Sequence, residues 1–140
     1  MVYVDTSVLL ALFINEAKTA DAWRWFNRQM PGTTVASDWT LTEIASALSV
    51  KRRMHLIDDP THAKTLTLLG SFIQTQLAII TLDHADFHHA ARLCDNWRSG
   101  LRAGDALHVG IAERRRMAIC TLDRVMHEAA VSLAIPVEMP

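Results

Sequence analysis

The apolar positions of this chain fall into short runs, separated by longer segments with helical spacing. Five runs fit short strands: Val2–Val4, Thr34–Ala36, Leu77–Ile80, Ala118–Cys120 and Pro136–Glu138. The segments between them fit helices: Ser7–Phe13, Ala17–Met30, Asp38–Arg53, Asp58–Thr75, Ala85–Trp97, Asp105–Arg116 and Val125–Ala134. Because strands alternate with helices, the pattern predicts crossover connections and a mostly parallel sheet with helices on both faces.

Two of the predicted strands are followed closely by an aspartate. Asp5 ends the first apolar run, with Thr6 and Ser7 behind it, and Asp123 follows the fourth strand two residues after Thr121. Ligands of open parallel sheets bind outside the carboxyl ends of the strands, so both aspartates are candidates for a site. Each could equally cap the next helix by accepting backbone N–H groups.

Two further acids have structural alternatives of the same kind. Glu43 ends the stretch Thr40–Glu43, which fits a capping box or a solvated helix face. Asp105 follows Gly104 and opens a predicted helix, where the helix dipole favours an acid. The presence of four such acids together favours a metal site, because Mg²⁺ and Mn²⁺ prefer several oxygen ligands and can support phosphodiester cleavage. Ionised acids gathered without a cation would repel one another.

Composition narrows the class of protein. Of 140 residues, 50% are hydrophobic and 21% are charged, which indicates a globular chain, and we expect a single domain over residues 1–140. No apolar run is long enough to span a bilayer, and the N-terminus lacks the basic segment of a secretory signal. The two cysteines suggest neither a zinc cluster nor a disulfide framework. We therefore expect a cytoplasmic protein with no membrane association.

Four stretches, in order, resemble the acidic motifs of PIN-domain ribonucleases: VDTSVLLAL, TLTEIASAL, LRAGDALHVGIA and CTLD. The resemblance covers nearly the whole chain and is closest to the VapC-like toxins of type II toxin–antitoxin pairs, including the FitB-like branch. It implies a three-layer α/β domain whose short central sheet has the strand order 3-2-1-4-5. In that order strands 1 and 4 are neighbours about 5 Å apart, so Asp5 and Asp123 could share an ion. Asp83, which follows strand 3, would be only a helix cap.

The resemblance also implies roles for individual residues. The acidic pocket that binds Mg²⁺ or Mn²⁺ for RNA hydrolysis would consist of Asp5, Glu43, Asp105 and Asp123, with Thr6 and Thr121 as supporting hydroxyls. The products would carry a 5′-phosphate and a 3′-hydroxyl. Two positions depart from the family pattern, Gly104 before Asp105 and Met126 after Asp123. The resemblance further implies a homodimer and a small antitoxin encoded by the neighbouring gene.

The net charge of −1 does not by itself indicate nucleic-acid binding. If metal neutralises four of the 15 acids, however, the 14 basic residues outnumber the remaining acids. RNA phosphates could then bind Arg102, which lies three residues before Asp105, or Arg98 and Arg53. Each arginine could instead be an ordinary solvated side chain.

Other conspicuous residues have structural interpretations. His84 and His88 fit an exposed helix face, and His108 fits core packing, although it could face the pocket or a dimer interface. Trp23 and Phe26 fit core or a protein interface better than base stacking. The main alternative function is a non-catalytic PIN-like module that binds RNA or protein. A response-regulator receiver is disfavoured, because an acidic pair after strand 1 and a lysine near the last strand are missing.

Overall fold

A computed structural model describes residues 1–14 and 17–140 of the chain. In this part of the chain five parallel strands form one sheet in the order β3-β2-β1-β4-β5. The strands are β1 (Val2–Val4), β2 (Thr34–Ser37), β3 (Ala78–Ile80), β4 (Ala118–Cys120) and β5 (Val137–Glu138). The α/β class, the strand positions and the order 3-2-1-4-5 are thus confirmed.

The helices connect successive strands. They are α1 (Thr6–Phe13), α2 (Thr19–Phe26), α3 (Asp38–Arg53), α4 (Asp59–Gln76), α5 (His84–Asp95), α6 (Ala103–Arg114) and α7 (Arg124–Ser132), with a 3₁₀ turn at Trp97–Ser99. The predicted second helix, Ala17–Met30, is too long. The structure ends α2 at Phe26, and Thr33 donates to the carbonyl of Met30 in a turn ahead of β2.

The core lies on both faces of the sheet. Successive residues of β1 point to opposite sides, so Val4 packs in one apolar cluster and Tyr3 in the other. Every residue of β1 is buried, as expected for a central strand covered by helices on both faces. Trp23 and Phe26 pack around Phe72 at the edge of the first cluster, which confirms core packing for this pair.

Parallel strands bring their carboxyl ends to one edge of the sheet. The ladder between β1 and β4 continues one residue past β1, because the Asp5 N–H donates to the Cys120 carbonyl at 3.1 Å. Asp5, Ser37 and Thr121 therefore begin the turns that leave the sheet on this side. Within the described residues, no helix is both long enough and apolar enough to cross a membrane.

Candidate active site

Asp5 lies at the centre of this edge and is fully buried. It is the N-cap of α1, and its Oδ1 accepts from the Val8 N–H at 3.1 Å and from the Ser7 hydroxyl at 2.7 Å. Burial raises the pKa of the Asp5 carboxyl, against the opposing effects of His108 and of the hydrogen bonds from Ser7, Thr121 and Val8. A charge at this position is therefore costly unless a cation lies near it.

Asp5 and Asp123, which were predicted to share an ion, are linked by the hydroxyl of Thr121. Thr121 is fully buried and donates to Asp5 Oδ2 at 2.8 Å, while its Oγ1 accepts from the Asp123 N–H at 2.9 Å. Asp123 caps α7 by accepting from the Met126 N–H at 2.9 Å. Both aspartates are helix caps and also lie at the candidate site, so the two interpretations do not exclude each other.

Ser7 belongs to the same network and was not among the predicted site residues. Its hydroxyl donates to Asp5 and accepts from the Leu122 N–H at 3.0 Å, which ties the turn after β1 to the turn after β4. The signal available in the sequence was a second hydroxyl directly after Asp5-Thr6.

Glu43 does not make the capping box that its sequence suggested. The N-cap of α3 is Ser37 and its capping-box partner is Thr40, because the helix begins at Asp38, before the Thr40–Glu43 stretch. Glu43 lies one turn further on and is half-buried. Its Oε2 accepts from the Thr6 hydroxyl at 2.5 Å and lies 2.6 Å from His108 Nε2.

Burial alone would raise the pKa of the Glu43 carboxyl. The interaction with His108, together with those of Thr6 and Trp39, outweighs burial and lowers this pKa below its ordinary value. Glu43 is therefore ionised at neutral pH. Thr6, predicted to support the pocket, contacts Glu43, whereas Thr121 contacts Asp5.

His108 is fully buried and does more than fill the core. Its Nδ1 lies 2.8 Å from the Tyr3 hydroxyl, which lies 2.7 Å from Ser37 Oγ. The Ser37 backbone N–H donates to Thr40 Oγ1 at 3.3 Å. A buried polar chain thus links β1, the start of α3 and α6 to Glu43. Tyr3 and Ser37 have no motif that would have revealed their part in the chain.

Asp105 lies in the first turn of α6, where its Oδ2 accepts from the Arg102 backbone N–H at 3.0 Å. Burial raises the pKa of the Asp105 carboxyl, the negative charges of Asp123 and Glu43 add to the rise, and the Arg102 N–H and His108 oppose it. Three of the predicted acids therefore interact electrostatically in one place.

Gly104 allows a close approach beside Asp105. A Cβ at position 104 would lie 2.7 Å from Glu43 Oε1 and 3.6 Å from Trp39 Nε1. The Trp39 indole Nε1 is buried, and Trp39 helps to lower the pKa of the neighbouring Glu43 carboxyl. The absence of a side chain at 104 thus lets Glu43 and Trp39 lie against the first turn of α6.

The donor set suits a hard divalent cation. Asp5, Glu43, Asp105 and Asp123 offer carboxylate oxygens, which Mg²⁺ and Mn²⁺ prefer. Among residues 1–14 and 17–140, no three His, Cys, Asp or Glu side chains converge closely enough to form a complete metal cluster. Mg²⁺ commonly binds one or two carboxylates, keeps several waters and takes substrate phosphate oxygens, so an open set of carboxylates still fits it.

The three candidate arginines lie at different distances from the acids. Arg102 is the exposed N-cap residue of α6, directly before the turn that holds Asp105. Arg98 is exposed and lies 4.7 Å from the centre of the Trp97 ring. Arg53 ends α3, ten residues beyond Glu43, which is about 15 Å along the helix axis. Arg102 alone adjoins the site directly in sequence.

Residues interpreted as structural are mostly confirmed as such. Asp83 caps α5 by accepting from the Asp86 N–H at 3.0 Å. His84 and His88 are exposed on the same helix. Arg114 and Arg115, at the end of α6, pair with the fully buried Asp86.

Comparison with known proteins places this geometry in a family. A model of the PIN domain matches residues 2–132, and the chain belongs to the PIN-domain family. No curated protein matches the sequence significantly.

Solved structures share the fold at low sequence identity. FitAB bound to a DNA fragment gives a TM-score of 0.77 at 14% identity, over 100% of this chain and 95% of that one. VapC20 of Mycobacterium tuberculosis, a toxin that cleaves the sarcin–ricin loop, gives 0.76 at 16% identity, over 92% and 95%. VapBC2 of Rickettsia felis bound to promoter DNA gives 0.69 at 13% identity, over 100% and 99%. The chain thus folds like VapC and FitB toxins.

Proposed function

We propose that this protein is a metal-dependent endoribonuclease and the toxin of a toxin–antitoxin pair, acting in the cytoplasm. The observation that carries the proposal is the PIN-domain match over residues 2–132, and the effect of the Asp123 and Glu43 charges, which help to raise the pKa of Asp105, supports it. A bound cation would relieve that repulsion. The alternative of a non-catalytic PIN-like module needs no such set of acids.

The proposed roles follow from the contacts of each side chain. Asp5, Asp105, Asp123 and Glu43 would hold Mg²⁺ or Mn²⁺. When bound, the ion would supply Lewis-acid stabilisation of the phosphodiester and lower the pKa of an attacking water. Glu43, whose own pKa is lowered, stays ionised and can orient water by accepting its hydrogen bond. Thr6 and Thr121 hold the carboxylates of Glu43 and Asp5.

The substrate and partners belong to the same proposal. Arg102, beside Asp105, would bind an RNA phosphate, with Arg98 and Arg53 at more distant phosphates. The antitoxin would be a small protein encoded by the neighbouring gene, and the toxin would act as a homodimer. The support for an antitoxin is that FitAB and VapBC2, which share this fold, are two-component assemblies bound to DNA.

The test uses two aspartates in the same local sequence. Asp123→Asn and Asp83→Asn change Thr-Leu-Asp after β4 and after β3, and both aspartates accept a helix N–H. RNA cleavage should require Mg²⁺ or Mn²⁺ and stop with EDTA. Asp123→Asn should lower the cleavage rate about 100-fold or more, because even partners outside the ligand shell contribute 10–100-fold. Asp83→Asn should cleave normally.

Asparagine still caps helices well, so both variants should fold. Full cleavage in EDTA would refute the metal requirement. Equal, small effects of the two substitutions would overturn the assignment of Asp123 to the site, and a wild type that cleaves no RNA in Mg²⁺ or Mn²⁺ would favour the non-catalytic alternative.

A further inference from the structure

The buried chain Ser37–Tyr3–His108 ends on one oxygen of Glu43. Tyr3, Ser37 and His108 are fully buried, and the distances along the chain are 2.7, 2.8 and 2.6 Å. Buried polar groups are costly unless paired, so a core carrying this chain requires an explanation. Apolar side chains of similar size would pack here without that cost.

The donors of the chain have a consistent direction. An ionised Glu43 only accepts, so His108 Nε2 must carry the proton that it donates to Oε2. In the tautomer that carries only this ring proton, Nδ1 is an acceptor and receives the Tyr3 hydroxyl proton. Tyr3 Oη is left to accept from Ser37 Oγ. In this arrangement each hydroxyl fixes the orientation of the next group toward Glu43.

The two oxygens of Glu43 have different surroundings. Oε2 receives both the Thr6 hydroxyl and His108 Nε2, which nearly fills its hydrogen-bonding capacity. Oε1 lies over Gly104, in the turn that carries Asp105. The buried hydrogen-bond chain therefore fixes the Glu43 carboxylate through Oε2 and leaves Oε1 on the side of Asp105.

Resting on the proposed function, we propose that Tyr3 and His108 are positioning residues that act through Glu43. They hold Oε2 from inside the core and thereby present Oε1 to the divalent cation. Neither residue contacts substrate or cation. Their effect is on the affinity for the ion and not on the affinity for RNA.

Two substitutions of His108 test the contributions of its two ring nitrogens separately. Gln at position 108 can place an amide N–H where Nε2 lies and keep the donor to Glu43, whereas the shorter Asn replaces Nδ1 and loses that donor. His108→Asn should weaken Mn²⁺ binding about 10–100-fold, the range measured for partners that orient metal ligands. His108→Gln should restore most of the affinity. Tyr3→Phe keeps the ring volume and removes one hydrogen bond, so we expect about a fivefold loss.

A second histidine–glutamate pair elsewhere in the protein serves as the control. His89 Nε2 lies 2.6 Å from Glu113 Oε2, the same distance as in the His108–Glu43 pair, but away from the four acids. His89→Asn should leave the Mn²⁺ affinity unchanged. Any general effect of removing a histidine–carboxylate hydrogen bond therefore appears in this variant as well.

The measurement is the Mn²⁺ dissociation constant of the RNA-free protein by calorimetry, with the unfolding temperature of each variant and the KM for RNA alongside. Nitrogen-15 NMR of the histidine rings gives the tautomer of His108 in the wild type. The proposal expects Nε2 protonation, weaker Mn²⁺ binding in His108→Asn and Tyr3→Phe, and an unchanged KM for RNA.

Two results would overturn the positioning role of Tyr3 and His108 while leaving the proposed nuclease function intact. One is an unchanged Mn²⁺ affinity in folded His108→Asn or Tyr3→Phe, and the other is an Nδ1-protonated His108 ring in the wild type. A wild type that neither binds Mn²⁺ nor cleaves RNA would overturn the proposed function and, with it, the positioning role of Tyr3 and His108. If His108→Asn fails to fold, Tyr3→Phe decides alone.

Discussion

Replacing Gly104 with alanine should lower the rate of RNA cleavage while leaving the stability of the fold nearly unchanged. The added Cβ would lie 2.7 Å from Glu43 Oε1, where ordinary contact begins near 3.4 Å, so the oxygen must retreat by about 0.7 Å. Glu43 cannot retreat freely, because its Oε2 is held by Thr6 and His108. The substitution therefore moves Oε1 away from the turn that carries Asp105.

The expected magnitudes follow from this displacement. Misplacing a reacting group by about 1 Å can lower a rate about 100-fold, so a shift of this size should cost about 10- to 100-fold in cleavage rate. Alanine is favoured over glycine in helices by up to about 1 kcal/mol, which offsets the loss or strain of one hydrogen bond of similar size. The free energy of unfolding should therefore stay within about 1 kcal/mol of wild type.

The assay is the initial rate of RNA cleavage in saturating Mg²⁺, with urea unfolding of the same preparations. Gly70→Ala is the control, because a Cβ at that position on α4 meets nothing within 4 Å. It should raise the free energy of unfolding by about 0.5–1 kcal/mol and leave cleavage unchanged. Full activity of Gly104→Ala at normal stability would refute the argument that the position of Glu43 matters.

Three other substitutions test the remaining contacts. Asp86→Ala should lower the free energy of unfolding by about 3 kcal/mol in urea titrations, because it leaves Arg114 and Arg115 without their buried partner; a loss below about 1 kcal/mol would contradict this. Asp5→Asn should gain stability relative to wild type as pH rises above about 4, the ordinary pKa of an aspartate. Burial raises the folded-state pKa of Asp5, so its charge destabilises the fold increasingly once pH exceeds the unfolded value, and a constant difference in melting temperature would refute this. Arg102→Ala should weaken RNA binding at low salt and reduce its salt dependence, and equal affinity at low salt would remove Arg102 from the phosphate contacts.

The strands and helices could be predicted because their signals are local, whereas the order of the strands followed from the resemblance to PIN domains. Each strand is a short apolar run, and helix starts such as Asp58, which accepts from the Thr61 N–H, are marked by capping residues. The error at α2 is also local, because the helical spacing of Ala17–Met30 continues past the residue where the backbone turns. Periodicity shows which face of a segment is apolar but not where its hydrogen bonds stop.

The site could be predicted only in part, because its decisive contacts join distant residues. Glu43 was predicted from the sequence as a member of the acidic set, yet its partners Thr6 and His108 lie 37 and 65 positions away. A motif within four residues suggested a capping box, whereas α3 begins three residues earlier than that interpretation required. Tyr3 looked like one more apolar residue of a central strand, and its hydroxyl has meaning only once β1 lies beside α6.

Three aspartates of this chain, Asp5, Asp83 and Asp123, have the same local role. Each follows a strand and accepts a backbone N–H from the first turn of the next helix. What distinguishes them is the order of the strands, since β1 and β4 are neighbours at the centre and β3 lies at an edge. Thr121 can therefore reach Asp5, whereas Thr81, in the matching position before Asp83, is exposed. The capping interaction is thus common to all three, and the neighbouring strand is what makes two of them candidates for chemistry.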